Sequence, residues 1–285
     1  MNEIEQYEFD RVGYITIPGL LTDDQVGNLA AAIDALEEEA AGRVAQSPRW
    51  TSAIGQFEYH HNVERGYYAN GARETGNTLM IEDFFNADPA FDVLVNHAPT
   101  MSYIEAIVQG RATINNSEIR IRYPGNQTGT HMGGPIGVKH RYGYNQGGFN
   151  CMMVRMVYFV HDVGPDDGPF CVVPATHKSN MKSPYQGTDP DKEPGMIGLP
   201  VQAGDCILFT ENLRHGGLTN RSNTTRKTIH VGYGPFWMKS QNIATMDEDQ
   251  YILHETYARF TPEQRQLFRA WPTTLEREFG ENSRG

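Results

Sequence analysis

A mainly β fold, a sandwich or barrel with helices packed on its outer face, is predicted by three observations. Strand-like runs at 113–123, 151–161, 169–174, 197–201, 205–210 and 228–238 follow one another, divided by Gly, Pro, Asn and Asp clusters. Stretches of helical period lie before that block and after it. No internal repeat or low-complexity linker divides the chain, and sandwiches or barrels of 285 residues commonly form one domain. A single domain over 1–285 is therefore expected, with a helical part at about 20–110, a β-rich core at about 112–238 and a helical tail at about 246–280.

Taken in order, residues 9–19 read as a short strand closing on a Pro-Gly turn. Thr22 with Gln25 three residues on is a capping-box pattern, and Val26, Leu29, Ala30, Ile33 and Leu36 repeat at helical spacing behind it. The acidic run Glu37 to Glu39 then reads as a solvated helix face that ends near Gly42. Residues 45–87 look irregular; they hold His60 and His61, which point in opposite directions if the segment is extended and so suit a surface or pocket role better than chelation. Asp88 and Pro89 open a second helix whose apolar stripe runs from Phe91 to Val108, with Gly110 ending it. Beyond the β-rich block, Thr261-Pro262-Glu263-Gln264 caps a helix in the tail.

Composition excludes several classes of function. Hydrophobic residues at 39% can fill a core, yet a mean hydropathy of −0.54 and the lack of a long apolar run argue against a membrane span. The acidic N-terminus has neither a basic nor an apolar signal region, so a cytoplasmic protein is expected. A net charge of −11 disfavours binding to nucleic acid through phosphate contacts. The middle of the chain is locally basic, with Arg120, Arg122, Lys139, Arg141 and Arg155 among its residues, which suits an anionic small molecule. Cys151, Cys171 and Cys206 are odd in number and never at Cys-x-x-Cys spacing, so buried reduced thiols are expected.

The residues with most chemistry are His131, at the end of the turn TGTHMGG, His215, just past the run at 205–210, and Arg226, eleven residues further on. Segments 9–26, 161–180 and 203–217, together with Arg226, resemble the phytanoyl-CoA dioxygenase family of Fe(II)- and 2-oxoglutarate-dependent oxygenases. The resemblance covers most of the chain and implies a double-stranded β-helix, a jelly-roll barrel flanked by helices. It implies His131 and His215 as Fe(II) ligands and Arg226 as the group that grips the distal carboxylate of 2-oxoglutarate, for which a planar guanidinium is suited. His177, in the Pro-x-x-His-Lys pattern, is implied to shape a loop near the metal. Arg155 and Tyr158, in the run 151–161, are candidates for substrate contacts.

One position departs from the family. A mononuclear iron oxygenase holds its metal with two histidines and one carboxylate, and where that carboxylate belongs the sequence has Gly133. This His-x-Gly pattern resembles the Fe(II)/2-oxoglutarate-dependent halogenases, which implies chloride beside the iron, O2 as oxidant, and chlorination of an unactivated C–H with release of succinate and CO2. A free small molecule, with an anionic metabolite such as a nucleotide in view, is the expected substrate. Hydroxylation is the alternative, with water or Glu211, four residues before His215, as the missing ligand. A third reading, a catalytically silent binding module, is opposed by retention of both histidines and of Arg226.

Overall fold

The computed structural model describes residues 1–46, 50–51, 58–132, 142–179, 181, 183–185, 187–238 and 252–268. Helix α1 (Glu3–Val12) begins with a capping box between Asn2 and Glu5 and ends at Gly13, whose φ of 87° suits a residue without a side chain. Strand β1 (Tyr14–Ile17) follows, so only the second half of the stretch expected as strand is extended. Its first half carries Phe9 into the core from a helix. Helix α2 (Asp23–Val44) has the predicted Thr22–Gln25 capping box and continues through Gly42.

The acidic run on α2 is not a solvated face. Glu37 is buried, accepts a hydrogen bond from the Tyr123 hydroxyl at 2.8 Å and pairs with Lys227 at 2.5 Å. Glu39 pairs with Arg65 and accepts from Asn62 and Tyr67. Only Glu38 is well exposed, at 67%. These contacts fasten α2 to the sheet beneath it.

The segment expected to be irregular forms strands: β2 (Trp50–Thr51), β3 (Glu58–Asn62), β4 (Tyr67–Gly71) and β5 (Thr78–Glu82). Residues of β4 and β5 are buried on both faces, so no alternation of polar and apolar residues marks them. The helix expected from Asp88 to Val108 is two pieces. A 3-10 turn at Pro89–Leu94, capped by Asp88, gives way at Asn96, where φ is 58°, before α3 (Ala98–Ile107).

The β-rich block contains β6 (Ala112–Arg122), β7 (Thr128–His131), β8 (Gly143–Asn145), β9 (Gly148–Asn150), β10 (Val154–Phe159), β11 (Phe170–Val173), β12 (Ile197–Leu199), β13 (Cys206–Thr210), β14 (Arg214–Gly217) and β15 (Arg226–Pro235). Helices α4 (His254–Arg259) and α5 (Pro262–Gln266) follow, the second with the predicted Thr261–Gln264 capping box. A nine-stranded sheet has the order β1-β13-β10-β15-β6-β5-β4-β3-β2, and a four-stranded sheet the order β12-β11-β14-β7. Every pairing in both is antiparallel.

Two cores fix which face of the large sheet looks where. On one face Leu79, Ile81, Ile119, Ile121, Met156 and Ile229 join Leu29, Ile33 and Leu36 of α2 and Ile104 of α3. On the other, Val157, Phe159, Ile207 and Phe209 meet Phe170 and Val172 of the small sheet. Full burial of each such side chain contributes about 1.5–3 kcal/mol. The second face also carries Glu118, Arg120, Arg122, Arg155 and Arg226, whose alternation with the isoleucines and Met156 turns them toward the small sheet. This is the jelly-roll arrangement, with its polar interior between the sheets. All three cysteines are free and buried, as their spacing predicts.

Candidate active site

Strands β7 and β14 are neighbours in the small sheet, and their pairing sets His131 directly opposite His215. The imidazole centroids are 4.3 Å apart. Each ring is aimed by its own backbone: His131 Nδ1 donates to the Gly129 carbonyl at 2.9 Å and His215 Nδ1 to the Leu213 carbonyl at 2.8 Å. A carbonyl can only accept, so the proton sits on Nδ1 in both rings and Nε2 keeps its lone pair. Phe209 and Phe170 flank His215, with centroids 4.6 and 5.6 Å away. Burial pushes the pKa of both histidines down, and His131 pushes His215 further, so both are neutral. Two adjacent neutral imidazoles with free Nε2 atoms are a fit for a transition metal such as iron.

Gly133 lies outside the described residues. Glu211, the other candidate for the missing carboxylate, is buried and ion-paired to Arg155 Nε at 2.5 Å. Among the described residues no group of three or more His, Cys, Asp or Glu is placed to hold a metal.

Opposite the histidines, Arg226 on β15 pairs in register with Arg122 on β6. Both are buried. Their guanidiniums converge on Gly217, two residues beyond His215: a Cβ there would come within 2.7 Å of Arg122 Nη1 and 3.4 Å of Arg226 Nη2. Arg226 donates to the Gly168 carbonyl and Arg122 to the Thr128 hydroxyl, while the Nε of each has no partner. Burial pulls the Arg226 pKa down to about 10, and burial with the charge of Arg226 pulls Arg122 well below its ordinary value. Two like charges held together away from water call for an anion. A dicarboxylate meets that need.

Between these features lies a compensated network. Glu118 accepts from Arg120 Nε at 2.5 Å and from Arg155 Nη1 at 2.7 Å, and Arg155 also holds Glu211. Burial would raise the Glu118 carboxyl, but the charges and hydrogen bonds of Arg120 and Arg155 outweigh it and hold the pKa down to about 2.

Two candidates are not part of the centre. Tyr158 is on the opposite face of β10 from Arg155, since three positions along a strand reverse the side chain, and its hydroxyl meets Thr100 at 3.0 Å in the core under α3. His177, buried in the 3-10 turn Thr176–Lys178, donates from Nε2 to the Asp10 carbonyl at 2.9 Å and packs against Tyr142. It ties that turn to α1. Arg155 does face the interior, but its guanidinium is taken up by Glu118 and Glu211. The sequence reading missed Arg122, although the strict alternation Glu118-Ile119-Arg120-Ile121-Arg122 marks a strand with one charged face.

The sequence profile of the family described as "Phytanoyl-CoA dioxygenase (PhyH)" matches residues 9–228. The chain belongs to this family of Fe(II)/2-oxoglutarate-dependent oxygenases and is an oxidoreductase of that class. Among solved structures, HygX from Streptomyces hygroscopicus with nickel and 2-oxoglutarate bound is similar at 18% identity, with a TM-score of 0.66 over 85% of this chain and 90% of that one. The epimerase SnoN, in complex with Fe3+, alpha ketoglutarate and nogalamycin RO, reaches a TM-score of 0.54 at 18% identity, covering 81% and 82% of the two chains. AviO1 from Streptomyces viridochromogenes Tue57 reaches 0.58 at 17% identity, covering 81% and 93%. At such identities these likenesses establish the fold. No curated sequence is significantly similar to this chain. No helix of the described residues is long and apolar enough to cross a membrane.

Proposed function

We propose that the protein is an Fe(II)/2-oxoglutarate-dependent halogenase that chlorinates an unactivated C–H bond of a free small molecule. The observation that carries this reading is that the residue two places after His131 in the sequence, where the family keeps its carboxylate, is Gly133, while the other candidate carboxylate, Glu211, is committed to Arg155. In this proposal His131 and His215 hold iron through their Nε2 atoms, and their backbone hydrogen bonds keep them aimed. Arg226, with Arg122 beside it, holds the distal carboxylate of 2-oxoglutarate. Glycine at position 133 supplies no carboxylate, and chloride would bring the unit negative charge in its place. Arg155 engages Glu211 in an ion pair, and Phe170 and Phe209 keep water from the His215 ring. The loaded iron, with O2, supplies the oxidising power for C–H cleavage and the protein supplies aim.

Structures of relatives with hygromycin B or nogalamycin RO support a free small molecule as the kind of substrate. The names of SnoN, an epimerase, and SnoK, a carbocyclase, favour hydroxylation or another oxidation as the second reading. Anaerobic titration of the Fe(II) protein with 2-oxoglutarate, with and without chloride, separates the two through the visible charge-transfer band. A chloride-dependent shift that disappears in Gly133→Asp is expected for a halogenase. A band indifferent to chloride would sink the proposal.

A further inference from the structure

The inner face of the large sheet extends past the jelly roll through β5, β4 and β3. Register partners run straight across it: Tyr59, Asn70, Met80, Arg120 and Thr228 form one transverse row, and His61, Tyr68, Glu82, Glu118 and His230 form the next. One end of these rows leads to the histidine pair: Glu118 holds Arg155 at 2.7 Å, Arg155 is in register with Phe209, and the Phe209 ring lies 4.6 Å from that of His215. The other end is aromatic. Tyr59 and Tyr68 meet edge to face at 5.6 Å, and His61 stacks on Tyr68 at 4.2 Å with 18° between the planes. These tyrosines join neither main core and form a separate cluster. At a strand spacing of about 4.8 Å, Tyr59 is three strands or roughly 14 Å from Arg120.

Asn70 stands beside this cluster, directly opposite Tyr59, at 8% exposure. Its Nδ2 is buried without a hydrogen-bond partner. Buried amide groups are normally satisfied, so a donor left open on the interior face marks a place where a ligand supplies the acceptor. The surroundings narrow that ligand. Aromatic faces favour a flat ring by stacking, and an amide donor beside them suits a ring nitrogen or a ring carbonyl.

We infer that Tyr59, His61, Tyr68 and Asn70 form the far end of the substrate site and bind a flat heteroaromatic ring, with Asn70 Nδ2 donating to a ring nitrogen or a ring carbonyl. The inference rests on taking His131 and His215 as the reacting centre, and it names the substrate class: a molecule that reaches about three strand spacings from a heteroaromatic end to the C–H that reacts.

The test is calorimetric titration of the metal-free full-length chain with adenine, with uracil and with myo-inositol as a saturated polyol. Saturable binding of at least one of the two bases, at least tenfold tighter than myo-inositol, is expected. Asn70→Leu should weaken that binding by about tenfold, and Asn70→Asp, which keeps the shape and removes the donor, should do the same if the leucine variant fails to fold. Tyr68→Leu should weaken whichever base binds. Binding of neither base, equal binding of myo-inositol, or wild-type affinity in the Asn70 variants would each overturn the inference. Because no metal is present, these outcomes are independent of whether the enzyme halogenates.

Discussion

Two groups of buried charge lie side by side between the sheets, and they are in opposite condition. In the first, Arg120 and Arg155 are matched by Glu118 and Glu211. In the second, Arg122 and Arg226 face each other with open Nε atoms and lowered pKa values. Both groups draw on the same strands, since Glu118, Arg120 and Arg122 alternate along β6. On the proposed reading the difference separates architecture from function: the charges the fold balances hold shape, and the charges it leaves unbalanced await a ligand.

The largest effect that would break this distinction falls on the balanced group. Arg155→Met strands Glu118 and Glu211 without a shared partner and should cost about 3–5 kcal/mol, read from urea unfolding at neutral pH. A loss under 1 kcal/mol would show that the network is not structural. Acid should act on the same group. Because the Glu118 pKa is depressed to about 2 in the folded chain, its contribution is complete above the unfolded value near 4.5 and is lost as pH falls from there toward 2. That contribution is about 3 kcal/mol, and Glu118→Gln should flatten this acid limb.

The unbalanced group should respond in the other direction. Arg226→Met should raise the KM for 2-oxoglutarate about a hundredfold, roughly 2.7 kcal/mol, while leaving the ligand-free protein as stable as before or more so. Arg122→Met should raise the same KM about tenfold, with the same gain or neutrality in stability. If either variant unfolded as readily as Arg155→Met, the two groups would have to be treated as one.

The sequence made the chemistry more legible than its supports. His131, His215 and Arg226 stand out by their sequence surroundings, and the structure sets the two histidines directly opposite each other in register. Strand β14 was hidden because Arg214-His215-Gly216-Gly217 has little strand character. Its glycines are there for space: a Cβ on Gly216 would come within 2.7 Å of the Thr128 carbonyl, and one on Gly217 would strike Arg122. Strands β3 to β5 were hidden because buried polar residues such as His60, Asn70 and Glu82 erase the alternation that marks a half-exposed strand. Arg122 was counted only as one of several basic residues, since its isolation from any acidic partner depends on which neighbour Glu118 selects. Tyr158 was misplaced by one face of a strand.

The histidines belong to one sheet and the arginines to the other. Any molecule gripped at both ends therefore works as a staple across the barrel. At a thousand times its dissociation constant such a ligand adds about 4 kcal/mol to stability, and that gain resists the parting of the two layers. On the proposed reading, filling the site and stiffening the barrel are one event.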